Sequence, residues 1–185
     1  MAKIRWLVRH DMPEVLAIEA ASFEYPWSED DFMVALRQRN VIGMVAEQDN
    51  QIVGYMIYAL FATRIDILNF VVHPAHHRSG IGTALVAKLV DKLTWNRRRE
   101  LVVDIRDTNL VAQRFFHSQG FLATKVVRQP YWDYCDDDAY RMVYTVPTPE
   151  FDWHAVADAD AVIREDDILE VARLAKQTPK SDDGA

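Results

Sequence analysis

Residues 73–85, HPAHHRSGIGTAL, bring together a basic loop, two glycines and the start of a helical pattern. His76, His77, Arg78, Ser79 and Gly80 form the loop. Ile81, Ala84, Leu85 and Leu89 then fall on one helical face, with Lys88, Asp91 and Lys92 off it. A loop that ends at a helix N-terminus binds anions, because the first turn of N–H groups has no partner inside the helix and the helix dipole adds positive charge. Gly80 and Gly82 lack a Cβ and let the backbone approach a bulky phosphate. Arg78 adds a fork that fits two phosphate oxygens. The other reading of the same residues is a plain turn with a glycine cap. Neither G-x-G-x-x-G nor G-x-x-x-x-G-K-[ST] occurs here, so this is not a dinucleotide or nucleoside-triphosphate signature.

A second candidate is Asp104. It ends an apolar run, Leu101–Val102–Val103, where an aspartate is otherwise unfavourable. Two readings stand: a carboxylate that takes a proton directly or through a water, or an ion pair with Arg106, two residues on along the same strand face. Asn109 opens a helical pattern and fits an N-cap. His73, His76 and His77 lack a matching carboxylate or cysteine cluster, so no metal site is expected. Arg97, Arg98 and Arg99 close a helix and complement its dipole. Cys135 has no evident base partner and is not expected to act as a nucleophile. Tyr25, Trp27, Tyr131, Trp132 and Tyr134 gather in two loops, the second made acidic by Asp133, Asp136, Asp137 and Asp138. Packing of those loops is the simpler explanation of the aromatics.

The elements that must position these residues follow from the pattern. Lys3 to Val8 reads as a strand. Asp11, with Pro13 and Glu14, reads as a capping box opening a helix that carries Val15, Leu16, Ile18, Glu19 and Phe23. Pro26 breaks it, and Ser28 caps a second helix that ends near Asn40. Val41 to Glu47 and Ile52 to Leu60 form a hairpin around Asp49 and Asn50, and Arg64 to Val72 adds the next strand. The helix after the glycine loop is expected to reach Trp95. Leu101 to Ile105 is a buried strand, Asn109 to Gln119 a helix closed by Gly120, and Phe121 to Arg128 and Tyr140 to Val146 two more strands.

Composition bounds the answer. The chain has 185 residues, 50% hydrophobic and 26% charged, which suits one domain with an extension. No apolar run approaches the roughly 20 residues that span a bilayer. The first residues are too polar for a signal peptide. One cysteine rules out an internal disulfide and fits a reducing compartment, so a cytoplasmic protein is expected. A net charge of −7 argues against a general nucleic-acid binder and suits a basic partner.

HHRSGIGTAL, lying between an apolar strand and a helix, resembles the acetyl-CoA pyrophosphate loop of the GNAT acetyltransferase superfamily, whose motif Q/R-x-x-G-x-G/A spans His77 to Gly82 here. The order βααβββαβαββ matches as well. With FEYPWS, LVVDIRDTN, AQRFFHSQGF and the YW-plus-acidic loop in sequence, residues 4–146 resemble the RimI-type ribosomal-protein alanine N-acetyltransferases. The resemblance implies an α/β GNAT fold, a mixed and mostly antiparallel sheet flanked by helices, over residues 1–146. Residues 147–185 lie outside it as a C-terminal extension, with a helix near 165–177 and a disordered end.

The resemblance also implies roles. Acetyl-CoA is the cosubstrate. His77, Arg78, Ser79, Gly80, Ile81, Gly82 and Thr83 hold its pyrophosphate, the strand Phe70, Val71 and Val72 pairs with the pantetheine arm, and Asn109 adds a hydrogen bond to that arm. Coenzyme A is expected where the parallel neighbours 67–72 and 101–105 splay apart. Asp104 holds the place of the catalytic carboxylate, usually a glutamate; a side chain one methylene shorter favours a bridging water. Phe116 stands where the family has a tyrosine that protonates the departing thiolate, and phenylalanine cannot do so: either the enzyme works without that acid, or another hydroxyl (Tyr131, Tyr134 or Tyr140) supplies it, or activity is low. Tyr25, Trp27, Tyr131 and Trp132 belong to the loops that form the slot for the acceptor. The implied reaction is acetyl transfer to an amine, foremost the N-terminal α-amine of a protein such as a ribosomal protein. The alternatives are a small-molecule amine, or a weakly catalytic CoA-binding module suggested by Phe116. The acidic second loop suits a basic peptide. No metal, nucleic acid or membrane partner is expected.

Overall fold

The computed structural model describes residues 2–128 and 137–147. Seven strands form one sheet in the order β1-β2-β3-β4-β5-β7-β6. They are β1 (Lys3–Trp6), β2 (Val41–Gln48), β3 (Gln51–Leu60), β4 (Arg64–Val72), β5 (Glu100–Arg106), β6 (Leu122–Val127) and β7 (Ala139–Thr145). Every neighbouring pair is antiparallel except β4 and β5. The α-helices among the described residues are α1 (Met12–Ser22), α2 (Glu29–Leu36), α3 (Ile81–Val90) and α4 (Leu110–Ser118). The expected mixed, mostly antiparallel sheet flanked by helices forms.

Two apolar layers sandwich the sheet. Met12, Val15 and Ile18 of α1 and Phe32 and Ala35 of α2 pack with Val45, Tyr55, Ile57 and Val71. On the other face Ile81, Leu85 and Leu89 of α3 and Phe116 of α4 pack with Met56, Tyr58, Ile67, Leu101 and Val103. Helical spacing of 3 and 4 on one side of each helix and alternation along each strand produce these two faces.

Several local expectations hold. Asp49 and Asn50 both take positive φ, 51° and 60°, as a tight two-residue hairpin requires. Ser28 caps α2: its Oγ accepts from Asp31 N at 3.2 Å, and Asp31 Oδ2 accepts from Ser28 N at 2.8 Å. Others are corrected. Asp11 forms no capping box with Glu14. Its carboxylate is taken by Arg5, at 2.7 and 2.8 Å, and by Val8 N at 2.9 Å, while Glu14 Oε2 accepts from Ile52 N at 2.9 Å. The first strand stops at Trp6, and α3 stops at Val90 rather than Trp95. There Lys92 N and Leu93 N bond three residues back, to Leu89 O and Val90 O, which tightens and ends the helix while keeping Leu93 buried. Likewise α2 ends at Leu36, where Gln38 N bonds to Ala35 O.

One irregularity organises the centre. Ile57 pairs with Asn69 and Tyr58 with Ile67, so Leu68 is an extra residue bulged out of β4. The bulge switches which side chains face which layer. Ile65 and Ile67 pack toward α3, and beyond the bulge Phe70 and Val72 do so, while Val71 packs toward α1. The parallel pairing of β4 with β5 ends at Ile67 and Val103, immediately before the bulge.

Candidate active site

Past Ile67 the two parallel strands part, and a cleft opens on each side of the sheet. The expected splay therefore exists, with its origin at Leu68. On the α1 side a cleft of about 440 Å³ is lined by Glu19, Tyr25, Trp27, Asn69, Asp104 and Arg106, among others. On the α3 side a cleft of about 920 Å³ is lined by Val72, His77, Arg78, Gly80, Gly82 and Thr83, among others. Phe70, Asn109 and Phe116 border both, so the clefts adjoin at the gap between β4 and β5.

The wider cleft has the features of an anion cradle. Gly80 caps α3 in the left-handed region, φ 82°, and no side chain caps the first-turn amides of Ile81, Gly82 and Thr83. Arg78 is also left-handed, φ 62°, an uncommon conformation for a residue with a Cβ. The loop is braced from within. His77 Nε2 lies 2.8 Å from Val72 O, Ser79 Oγ donates to His76 O, and His73 Nδ1 accepts from Ala75 N at 3.1 Å. Among the described residues no group of three His, Cys, Asp or Glu is placed to hold a metal ion. Among the described residues, the β5-facing edge of β4 beyond Ile67 has no strand partner. It offers its main chain to an amide-bearing arm, so the residues present fit coenzyme A. The absent Cβ of Gly82 has a further purpose. A Cβ there would stand 3.0 Å from Phe115 Cζ, so the glycine lets α3 and α4 close on each other. Asn109 caps α4, its side-chain oxygen accepting from Ala112 N at 3.0 Å.

On the narrower cleft's wall, Asp104 is gripped by Arg141. Arg141 Nε lies 2.8 Å from Oδ1 and Nη2 2.7 Å from Oδ2. The pair joins β5 and β7 at directly opposed positions. An Asp104–Arg106 pair is therefore not what forms: Arg141, directly across the ladder, takes both carboxylate oxygens. Donating these hydrogen bonds to Asp104 in turn holds the Arg141 guanidinium above its ordinary pKa. Arg106 instead reaches across the cleft mouth. It lies 3.8 Å from Glu24 and 3.5 Å from Asp137, with its guanidinium 5.3 Å from the centre of the Tyr25 ring. Tyr25 is exposed, whereas Trp27 is half-buried with its ring 5.2 Å from that of Phe32.

Phe116 is only 3% exposed. Its ring meets those of Phe70, Phe115 and Phe121 at 5.4, 5.1 and 5.0 Å, mostly edge to face. Tyr131, Trp132, Tyr134, Cys135 and the acidic residues up to Asp136 lie outside the described residues, as does the expected helix near 165–177.

Sequence reading missed two residues of this site. Glu19 is 1% exposed and accepts hydrogen bonds from Tyr55 Oη, from Trp27 N at 2.9 Å and from Asn69 Nδ2 at 3.1 Å. Burial, then the Glu19 charge, push the Tyr55 phenol far up, so it stays a donor. The signal was present in both cases. Glu19 sits four residues after Val15 on the apolar stripe of α1, and Asn69 interrupts an apolar strand.

The sequence model of the "Acetyltransferase (GNAT) family" matches residues 7–121. The chain belongs to the GNAT acetyltransferase family. A relative in Escherichia coli (strain K12), named [ribosomal protein bS18]-alanine N-acetyltransferase, is 27% identical over 131 residues, covering 71% of this chain and 88% of its own. A putative [ribosomal protein bS18]-alanine N-acetyltransferase of Bacillus subtilis (strain 168) is 26% identical over 146 residues, 78% of this chain and 96% of its own. Among solved structures, the E. coli ribosomal-protein-S18-alanine N-acetyltransferase superposes with TM-score 0.69 at 24% identity, over 83% of this chain and all of that one. Arabidopsis thaliana NAA60 with a bisubstrate analogue superposes with TM-score 0.69 at 15% identity, over 78% of this chain and 98% of that one. The GNAT fold is thus that of the described sheet and helices. The protein is an acetyl-CoA-dependent GNAT N-acetyltransferase that resembles the RimI enzymes. Among the described residues no helix is long and apolar enough to cross a membrane.

Proposed function

We propose that this GNAT enzyme acetylates the N-terminal α-amine of a protein, with a ribosomal protein as the foremost candidate, in the cytoplasm. The observation that carries the reading is the pair of clefts meeting at Phe70, Asn109 and Phe116 through the gap that Leu68 opens. Acetyl-CoA entering from the α3 side presents its thioester at that gap. An amine entering from the α1 side meets it there, between Tyr25, Trp27 and the end of β5. Both bS18-alanine acetyltransferase relatives are named for such an acceptor.

The chemistry asks little of the protein beyond placement. The amine nitrogen forms a bond to the acetyl carbon, the carbon–sulfur bond breaks, and the proton leaves the nitrogen. An α-amine has a pKa of about 7.7–8.0, so a weak base suffices. Asp104 serves in this reading. Arg141 bonds both oxygens and fixes the carboxylate's orientation, and the carboxylate takes the proton through a water. Arg78 and the α3 amides hold the pyrophosphate, and Asn109 holds the pantetheine arm while capping α4. No hydroxyl stands at Phe116, so the thiolate departs without that acid; with a thiol pKa of about 8.5 it is a tolerable leaving group. Residues 1–146 carry this activity.

A panel of short peptides with free N-termini, set against polyamines and aminoglycosides and read by thiol release, tests the reading. Turnover on peptides with an N-terminal alanine, well above that on the small amines, is the expected result. Turnover confined to the small amines overturns it. Binding of acetyl-CoA without turnover of any amine would support the weakly catalytic module that Phe116 suggests.

A further inference from the structure

Among the described residues, the buried side-chain nitrogen and oxygen atoms without a hydrogen-bond partner are Ser22 Oγ and Asn69 Oδ1. Both residues line the cleft on the α1 side. Ser22 sits in the last turn of α1, where a hydroxyl can rotate toward a main-chain carbonyl. Asn69 has less freedom. It is only 8% exposed, and its Nδ2 donates to Glu19 Oε1 at 3.1 Å. A carboxylate accepts and does not donate, so the amide must turn its NH2 toward Glu19 and its oxygen away. That oxygen is the orphan. Unpaired buried acceptors are rare, and one in a cleft calls for a ligand.

Glu19 has the complementary peculiarity. Buried charges are normally paired with a cation. The three groups that bond Glu19 all donate, as an ionised carboxylate requires, yet none is charged. No Lys, Arg or His among the described residues forms an ion pair with it.

We propose that Asn69 and Glu19 form the seat of the acceptor's ammonium: Asn69 Oδ1 accepts one of its N–H groups, and Glu19, bound to the far end of the same amide, supplies the balancing charge. This rests on the reading that the acceptor enters from the α1 side. Glu19 acts as a positioning residue, and Asn69 is the group that touches the substrate. A chain running carboxylate, amide, ammonium polarises each bond in turn and strengthens it. Oδ1 is sealed from solvent in the free protein, so the acceptor must shift the cleft floor to reach it. No water bond at that oxygen has to be given up, and the gain is correspondingly large. The same carboxylate holds Trp27 N, which ties the seat to the loop carrying Tyr25 and Trp27. The bulge at Leu68 places Asn69 on the α1 side, where an unbulged strand would have turned it toward α3.

The test is a pH series of kcat/KM for an N-terminal alanine peptide and for a small primary amine, with the full-length wild type, Glu19→Gln and Asn69→Leu. The other charged or titratable groups lining the cleft are Asp104 and Arg106 on β5, and Glu24 and Tyr25 after α1, with buried Tyr55 of β3 on Glu19 and Arg141 of β7 on Asp104; they are the same in all three proteins. Each variant should lose roughly 10- to 100-fold with the peptide at pH 6.5, the range of a charge-assisted hydrogen bond. The loss should shrink above about pH 8, where the α-amine is neutral. With the small amine it should persist to about pH 10, following that amine's own pKa. KM for acetyl-CoA should not move. A loss of the same size at every pH, or no loss, overturns the proposal. Thermal denaturation reports whether each variant folds, and Asn69→Leu carries the test if Glu19→Gln does not. Wild-type turnover on the small amine alone would defeat the peptide reading, while the pH series on that amine would still decide the seat.

Discussion

Arg141 takes both carboxylate oxygens of Asp104, at 2.8 and 2.7 Å, across the β5–β7 ladder. A bidentate guanidinium fixes orientation as well as charge. The carboxylate proposed as the general base is thus clamped. Asp104→Ala should lower kcat by about 10²–10⁴-fold, the usual range for a lost acid–base group, with acetyl-CoA affinity unchanged. Arg141→Gln should also lower kcat, but by less, because the carboxylate stays and only its aim is lost. Thiol-release kinetics and calorimetric titration with acetyl-CoA measure the two effects. An Asp104→Ala enzyme with wild-type kcat would remove Asp104 from the chemistry and leave the pair as a strut between strands.

Phe116 borders both clefts within an aromatic cluster. Phe116→Tyr adds a hydroxyl at the ring's far end without changing its shape. If protonation of the leaving thiolate limits turnover, kcat should rise by about 10-fold or more, within the general-acid range. Stability should fall by about 1–3 kcal/mol where the new hydroxyl finds no partner. Parallel kinetics and urea melts check both. A stable variant with unchanged kcat would show that the thiolate leaves unaided.

The chain order of strands and helices and the turn that opens α3 could be read from sequence because their signals are local: alternation in β2 to β4, the Asp49–Asn50 turn, and Gly80 before an apolar helical stripe. The partners of polar residues could not. Asp104 meets Arg141 only because β7 folds back beside β5, a relation 37 residues long that no spacing rule reports. Asp11 looked like a cap until Arg5, on a neighbouring element, took its carboxylate. The bulge left a trace that is plain in hindsight. Apolar residues occupy positions 65 and 67, then 70 and 72, so the alternation slips by one around Leu68. Asn69 lies at that slip.

Gly80 and Gly82 should fail for different reasons. An alanine at Gly80 meets nothing within 4 Å but must hold φ 82°, whereas an alanine at Gly82 drives its Cβ to 3.0 and 3.1 Å from the Phe115 ring. Both variants should bind acetyl-CoA more weakly. Gly82→Ala should also cost about 1–3 kcal/mol from overpacking between α3 and α4. Phe115→Leu added to Gly82→Ala should restore part of the stability and affinity, and added to Gly80→Ala it should restore neither. Urea melts and acetyl-CoA titrations on the four variants check this. Rescue of both, or of neither, would contradict the contact as the cause.

Arg5 and Asp11 make stability depend on pH. The hydrogen bonds from Arg5 hold the Asp11 carboxyl below its ordinary range, against the opposing effect of burial. The folded state therefore takes up this proton less readily than the unfolded chain, whose aspartates titrate near pH 3.9 or so. The sign follows: the stabilisation is complete above that value and is lost as pH falls further, through the folded-state pKa. Asp11→Asn should cost about 1–3 kcal/mol at pH 7, the range for a hydrogen bond to a charged group. Its deficit should be the same at pH 5, then narrow between pH 4 and pH 3 as the wild type loses what the variant already lacks. Urea unfolding of both proteins at these pH values measures the gap. A gap that stays constant down to pH 3, or widens, would mean that Arg5 stabilises Asp11 by some means other than its charge.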